Sequence, residues 1–273
     1  KEILHLVFAK LYFGLTKNPF IDSIDPCFFF QTKRHEEAFI KMLLCIENDI
    51  SLGLVYAKSG LGKTMLSQLL LLNMDQNKYK PVLVLSIPKM SRSYMLREIC
   101  LDLDIIKEDE RFYPSELLRK LQQYIMELYE KKQKLVIIFD EAHFFTPECL
   151  HTIRTISNIE IPEKKLTTCI LIGENSLWSR LQRDTYDAIR SRIYQKVEIL
   201  PLTPDEVEEY IKFRLLISGG SVDIFDKDMY SKIADESKGI CREINKICYN
   251  LLLEAYFKKE KNDKIGSGLM AHG

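Results

Sequence analysis

Ala57-Lys58-Ser59-Gly60-Leu61-Gly62-Lys63-Thr64 follows the short apolar run Leu52–Tyr56 and opens a stretch with helical spacing at about Thr64–Met74. This order of strand, glycine-rich turn and helix restricts the fold more than any other feature of the chain. A turn in that position aims successive backbone N–H groups, and the positive end of the helix dipole, at one point ahead of the helix. Dense negative charge belongs at that point. The residue types fit a triphosphate: Gly60 and Gly62 let the main chain turn and approach closely, Lys63 reaches the β- and γ-phosphates, and the Thr64 hydroxyl suits Mg2+. Residues Ala57 through Met65 are therefore the expected nucleotide-binding loop, with Thr64 as a metal ligand. Ala57 stands where the pattern usually has Gly. Alanine is acceptable there at negative φ, so slight tuning rather than loss of binding is expected. In a chain of this length and average composition, the Gly-x-Gly-Lys-Ser/Thr core arises by chance in roughly 1% of cases. An accidental lysine in a glycine-rich turn is the alternative, and the flanking strand and helix argue against it.

A second signal is Leu135-Val-Ile-Ile-Phe139 followed by Asp140-Glu141-Ala142-His143. An unbroken apolar run of this kind reads as a strand buried on both faces. It delivers two acids at its carboxyl end, where open parallel sheets place their ligands. Asp140 is expected in the Mg2+ shell, and Glu141 is expected to orient or deprotonate an attacking water. An apolar strand ending in Asp-Glu is weak evidence alone, because helix caps look similar. Downstream of a phosphate loop, with a strand and helices between, it points to nucleoside triphosphate hydrolysis. His143 is either an active-site neighbour or an ordinary polar residue at a strand end, and the ordinary reading is favoured.

The remaining pattern is alternating. Further strands are expected at Val82–Ile87, Thr168–Ile172 and Tyr194–Ile199, and helices at Ser91–Leu103, Pro114–Lys131 and Pro147–Ile159. This is an α/β pattern, a parallel sheet with helices on its faces. After Pro201 the strands stop. Thr203-Pro-Asp-Glu206 is a helix start with Thr as N-cap, Pro at the first position and Glu at the third. Helices at Pro204–Ser218, Asp226–Ser237 and Cys241–Lys259 then make a small all-helical domain. The expected division is 1–45 as an N-terminal extension, 46–201 as the α/β core, 202–264 as the helical domain and 265–273 as a tail or truncated continuation. The charged run Lys258–Lys264 reads as a solvated helix end.

Composition removes several classes. Of 273 residues 46% are hydrophobic, enough for a sizeable core, so disordered and fibrous classes are excluded. Lys+Arg and Asp+Glu stand at 39 each, which speaks against coating nucleic acid through bulk charge, though not against a local basic face. The seven cysteines (Cys27, Cys45, Cys100, Cys149, Cys169, Cys241, Cys248) form no Cys-x-x-Cys pair. They read as reduced, buried thiols of a cytosolic protein, and a zinc site is not expected. The apolar runs Leu69–Leu72 and Leu135–Phe139 fall far short of the roughly 18 residues of a membrane span. Lys1–Leu15 lacks a small-residue cleavage site, so no signal peptide is expected. The chain begins without Met and ends in Gly266-Ser-Gly-Leu-Met-Ala-His-Gly273, which reads as a fragment of something longer.

Taken together, these residues resemble the AAA+ ATPases, over nearly the whole chain from about Tyr12 to Lys264. The resemblance implies a P-loop core followed by a helical lid. It also implies further roles. A polar residue after the fourth strand senses the γ-phosphate in that family, and Leu171-Ile-Gly-Glu174-Asn175 places Glu174 or Asn175 there. An arginine before the fifth strand reaches the neighbouring subunit's nucleotide. Ala188-Ile-Arg190-Ser-Arg192-Ile193 offers two, of which Arg192 matches better; a surface arginine held by a salt bridge is the plain alternative. Such a finger contributes about 10³–10⁵ in rate, and its use in trans makes the monomer a poor ATPase. Gly239-Ile-Cys-Arg242-Glu-Ile-Asn245 resembles the second sensor, with Arg242 on the γ-phosphate; family members commonly have Pro at the position of Cys241.

Tyr12-Phe-Gly-Leu-Thr-Lys-Asn-Pro-Phe20, Asp25-Pro-Cys-Phe-Phe-Phe30 and His35-Glu-Glu-Ala38 are similar to the ExeA/GspA-type ATPases, in which this segment packs near the adenine. An aromatic cluster capping a core explains the same residues. Ser176-Leu-Trp178-Ser-Arg-Leu181 and Tyr186–Ile193 also resemble the transposition ATPases of the TniB and TnsC type, with Trp178 read as a packing anchor. The first branch implies a cytoplasmic ATPase using ATP and Mg2+. It would form a homo-oligomeric ring or filament and drive assembly or remodelling of an envelope system for secretion or pili, reaching the membrane through a further C-terminal segment or a partner. The second implies an accessory ATPase that binds double-stranded DNA and a transposase. That reading needs a basic stripe, for which Lys89, Arg92, Arg97 and Arg154 are candidates. An inactive scaffold is disfavoured, because Lys63, Thr64, Asp140, Glu141, Arg192 and Arg242 are all present.

Overall fold

The computed structural model describes residues 12–21 and 25–269, with side chains through residue 258. Most of the segment read for a leader, and the last four residues of the expected tail, lie outside the described residues. The chain divides into two compact units: residues 31–200, and a second unit combining the N-terminal segment through Phe30 with everything from Pro201 onward.

The first unit is built on helices α1 (Lys33–Glu47), α2 (Lys63–Asn73), α3 (Arg92–Asp102), α4 (Pro114–Glu130), α5 (Pro147–Ser157), α6 (Asn175–Leu181) and the short α7 (Asp187–Arg190). Its strands are β1 (Leu52–Ala57), β2 (Tyr79–Leu85), β3 (Lys134–Asp140), the two-residue hairpin β4 (Glu160–Ile161) and β5 (Lys164–Lys165), β6 (Thr167–Gly173) and β7 (Ile193–Ile199). The main sheet is parallel throughout, in the order β2-β3-β6-β1-β7. The three inner strands β3, β6 and β1 are buried at every residue, which is why they read as unbroken apolar runs. The rim strands β2 and β7 are only partly buried.

The second strand departs from expectation. It runs Tyr79–Leu85 rather than Val82–Ile87, and Ile87 falls in the loop before α3. Lys80 and Pro81 disguise its start, and both are tolerated because β2 is an edge strand with one side unpaired. The last helix also runs farther than expected. The helices expected over the 91–159 stretch sit within two residues of their expected ends and carry the caps the sequence offers. Ser91 accepts from the Tyr94 amide and Thr146 from the Cys149 amide, each satisfying an open N-terminal donor. On α4, Leu117, Leu121, Ile125 and Leu128 are buried along one face against the sheet's core.

The second unit contains α8 (Pro204–Ile217), α9 (Lys227–Ser237) and α10 (Cys241–Leu269). Thr203 and Glu206 form the reciprocal capping box at the start of α8. Val207, Ile211, Leu215, Ile233, Ile244 and Cys248 form its core, and Leu15 and Phe20 of the N-terminal segment are buried in it. Arg214 fastens that segment. Its Nε donates to the Pro19 carbonyl and its Nη2 to the Ile21 carbonyl at 3.2 Å, while the guanidinium lies 4.5 Å from the Phe28 ring centre. The sequence suggests one extension over 1–45; in the structure this stretch is shared, its aromatic part with the helical unit and α1 with the sheet.

Candidate nucleotide-hydrolysis site

The phosphate loop leaves the buried end of β1 at Ala57 and turns into α2 at Lys63. Gly60 and Gly62 both sit at φ 82°, the left-handed region that glycine enters without strain. Lys63 is 95% buried (5% exposed), and its Nζ donates to the Lys58 carbonyl at 3.0 Å and the Ala57 carbonyl at 3.4 Å. The ammonium is therefore held inside the curl of the loop, among carbonyls that an anion would outbid.

Two strands away, β3 ends in Asp140, which is 1% exposed. The Ser67 hydroxyl, on the second turn of α2, lies 3.1 Å from Asp140 Oδ2 and 2.8 Å from the Thr64 carbonyl, sharing its one proton between them and setting the helix that carries the loop against the strand that carries the acids. Asp140 Oδ1 accepts the Glu141 N–H at 2.9 Å. Glu141 takes a left-handed backbone, φ 54° and ψ 32°, which for a side chain with a Cβ costs about 1–2 kcal/mol. The Phe144 N–H to Glu141 carbonyl bond of 3.0 Å closes the following turn and holds it there. Non-glycine residues in this region cluster at functional sites.

The third component rises from β6, which lies between β1 and β3. Glu174 is the residue before α6, and its N–H donates to His143 Nδ1 at 3.4 Å; the same Nδ1 lies 3.5 Å from Glu141 Oε2. One ligand atom from each of Glu141, His143 and Glu174 lies within 4.8 Å of the others. Among the described residues, the Asn175 amide oxygen is buried without a hydrogen-bond partner. Ala57 to Met65, Asp140, Glu141, Glu174 and Asn175 thus all belong to one carboxyl edge of one sheet.

The two arginines before β7 differ. Arg190 is engaged locally: it pairs with Asp187 and donates to the Gln182 carbonyl at 2.6 Å, closing the end of α6. Arg192 is half-buried, and among the described residues no carboxylate lies within 4 Å of it. Arg242 lies in the other unit, exposed on the first turn of α10, which follows Gly239. Asn245 of the same motif is buried and accepts from Tyr210 Oη at 2.9 Å, so it packs the helical unit together.

One contributor, quoted above only within a resemblance, has a role the sequence does not state. His35, 4% exposed on α1, sets its Nε2 2.9 Å from the Leu61 carbonyl. A carbonyl only accepts, so Nε2 carries the proton, and Nδ1, 2.7 Å from Thr32 Oγ1, accepts the threonine hydroxyl proton. The phosphate loop is thereby clamped from the N-terminal helix. Trp178 is the packing anchor the sequence suggests, stacked on Tyr56 with ring centres 5.9 Å apart.

The oxygen donors of the site are those Mg2+ takes: a hydroxyl on Thr64 and a carboxylate on Asp140, beside a loop shaped for phosphates. The parallel sheet with its flanking helices is the fold of the AAA+ P-loop proteins. Residues 47–181 match the family described as AAA domain. Along 262 residues it is 27% identical to general secretion pathway protein A of Aeromonas hydrophila, a match covering 96% of this chain and 46% of that protein. The chain therefore spans about half the length of this curated relative. Similar solved structures include the Aeropyrum pernix ORC2 protein in ADPNP–ADP complexes, with TM-score 0.64 and 15% identity over 84% of this chain and 64% of that one. Cdc6p from Pyrobaculum aerophilum gives TM-score 0.64 and 17% identity over 90% of this chain and 66% of that one. At such identities the likeness speaks for the fold. No helix among the described residues is long and apolar enough to cross a membrane.

Proposed function

We propose that this chain binds ATP with Mg2+ and hydrolyses it to ADP and phosphate. The observation that carries this is the Ser67–Asp140 contact, which joins the phosphate loop and the acid pair at one sheet edge. Backbone N–H groups of residues 58–64 receive the phosphates, and Lys63 exchanges its loop carbonyls for phosphate oxygens. Thr64 and Asp140 would hold Mg2+, which neutralises charge on the β- and γ-phosphates. Glu141 orients the attacking water and takes its proton, while Glu174 or Asn175 reads the γ-phosphate. In this reading Arg192 serves a neighbouring copy's site, Arg242 is the second sensor, and the working form is a homo-oligomeric ring or filament.

The process we favour is assembly or remodelling in an envelope system of the secretion or pilus type, at the cytoplasmic side, on the strength of the relative matched across 96% of this chain. A second reading, a DNA-engaged ATPase of transposition, has its own observation. Arg92 and Arg154 are both partly exposed and, among the described residues, neither forms an ion pair with a carboxylate. Of the other stripe candidates, Arg97 is engaged with the Glu108 and Glu110 carbonyls.

Steady-state ATP hydrolysis, with and without duplex DNA at low salt, tests both. Wild-type turnover with loss of about 10²-fold or more in Glu141→Gln supports the hydrolytic assignment. A Glu141→Gln variant as active as wild type removes Glu141 from the chemistry. Stimulation by DNA that falls steeply with salt selects the second reading.

A further inference from the structure

We propose that His143 is a positioning residue of the hydrolytic site, joining the turn that carries Glu141 to the turn that carries Glu174 and Asn175. The inference rests on the hydrolytic reading above. Strand order places β6 beside β3, but strand pairing stops at Phe139 and Leu171, short of both turns. Beyond that point the two turns need another connection. His143 supplies it.

The backbone geometry shows how close the approach is. A Cβ added to Gly173 would stand 3.1 Å from the His143 backbone N and 2.9 Å from Leu177 Cδ2, so the glycine at the end of β6 is what lets the 142–144 turn come in. The imidazole then reaches across. Its Nδ1 accepts the Glu174 N–H at 3.4 Å, and an amide nitrogen can only donate, so in this arrangement the proton sits on Nε2. The same Nδ1 faces Glu141 Oε2 at 3.5 Å, nearly the same distance as its approach to the Glu174 N–H. Nδ1 can accept from Glu174 or donate to Glu141, but not both at once. While it holds the Glu174 turn, the Glu141 carboxylate stays free to accept a proton from water. The side chain is 10% exposed, and Phe144 packs against it with ring centres 4.1 Å apart, so its swing is restricted. His143 touches neither phosphate nor water in this scheme; it sets the residue that handles the water against those that read the γ-phosphate.

The test is a three-variant series read as kcat against nucleotide affinity. Displacements of about 1 Å at such sites cost around 10²-fold, so His143→Ala is expected to lower kcat about 10–100-fold. ADP affinity, measured by calorimetry, should stay close to wild type, because the phosphate loop does not touch His143. Asn places a carbonyl oxygen where Nδ1 stands, so His143→Asn should recover most of the loss. His143→Gln carries its amide one methylene too far and should not. Wild-type kcat in His143→Ala overturns the inference. So does a series in which Asn and Gln fail alike and melting temperature falls in step with kcat, which is the mark of a packing role. A wild-type protein that binds ADP but hydrolyses nothing is a different failure, of the hydrolytic reading itself.

Discussion

His35 and Gly239 show how much of this molecule rests on single positions outside the phosphate loop and the acid pair. His35 donates from Nε2 to the carbonyl of Leu61 inside the phosphate loop. Removing it leaves a buried carbonyl without its donor, at a cost of about 1–3 kcal/mol. His35→Ala should therefore weaken ADP binding about tenfold in a calorimetric titration, whereas unchanged affinity would show that the clamp does not shape the loop. Gly239 sits at φ 71°, and a Cβ there would lie 2.1 Å from the Leu202 carbonyl oxygen. Both the conformation and the contact forbid a side chain. Gly239→Ala should cost about 2–4 kcal/mol, seen as a lowered midpoint in urea unfolding, and should act through folding rather than through the nucleotide. The sequence marks Gly239 only as part of a resemblance; its physical reason, contact with a backbone 37 positions earlier (239 − 202), is a tertiary fact. His35 and His143 were equally opaque, since one histidine beside acids carries no spacing rule.

At the scale of elements, legibility follows burial. β1, β3 and β6 could be read because strands covered on both faces carry apolar stretches through their middles and confine polar residues to their ends, and the phosphate loop and acid pair stand directly at the ends of two of them. The frame of β2 could not, because an edge strand admits Lys80 and Pro81. α1 was hidden for a related reason: it buries His35, Ala38, Met42, Cys45 and Ile46 while exposing Ile40 and Leu44, which blurs its apolar face. The hairpin β4–β5 and the short α6 and α7 have too few residues to show a period. The opposite edge of the sheet carries a prediction of its own. Lys134 opens β3 at 5% exposure, its Nζ donating to the Ile46 carbonyl and to Asp49 Oδ1, each at 3.0 Å. Burial lowers its pKa below the usual 10.5, and the Asp49 contact opposes this only in part. The folded chain thus releases that proton before the unfolded chain does. The resulting penalty is present at neutral pH and relieved as pH rises from the lowered value toward 10.5. Lys134→Met should remove this rise, so the difference between wild-type and variant unfolding free energies should shift in favour of wild type as pH rises through that window; a pH-independent difference would refute it.

For the whole molecule, the distribution of thiols and arginines makes two statements. Cys27 is exposed, while Cys45, Cys100, Cys149, Cys169 and Cys248 are buried. Burial pushes the thiols of Cys45 and Cys169 up to about 12, so neither is a thiolate at neutral pH. Brief alkylation of the native protein should label Cys27 first, read by mass spectrometry, with the buried thiols labelled only after unfolding. Arg192 argues at the scale of the assembly. If it completes a neighbouring copy's site, activity per subunit should climb with protein concentration, and Arg192→Ala should lower turnover about 10³-fold or more while sparing ADP binding. An Arg192→Ala protein as active as wild type at every concentration would make it an ordinary surface residue. Finally, the chain has one tryptophan, and it lies flat on Tyr56, the residue before the phosphate loop begins, with the Lys196 ammonium 3.8 Å above the ring. Indole emission is sensitive to a nearby cation and to small changes in stacking, so this protein carries a built-in optical gauge at the root of the loop, one that needs no dye, tag or engineered label to follow nucleotide arrival in real time.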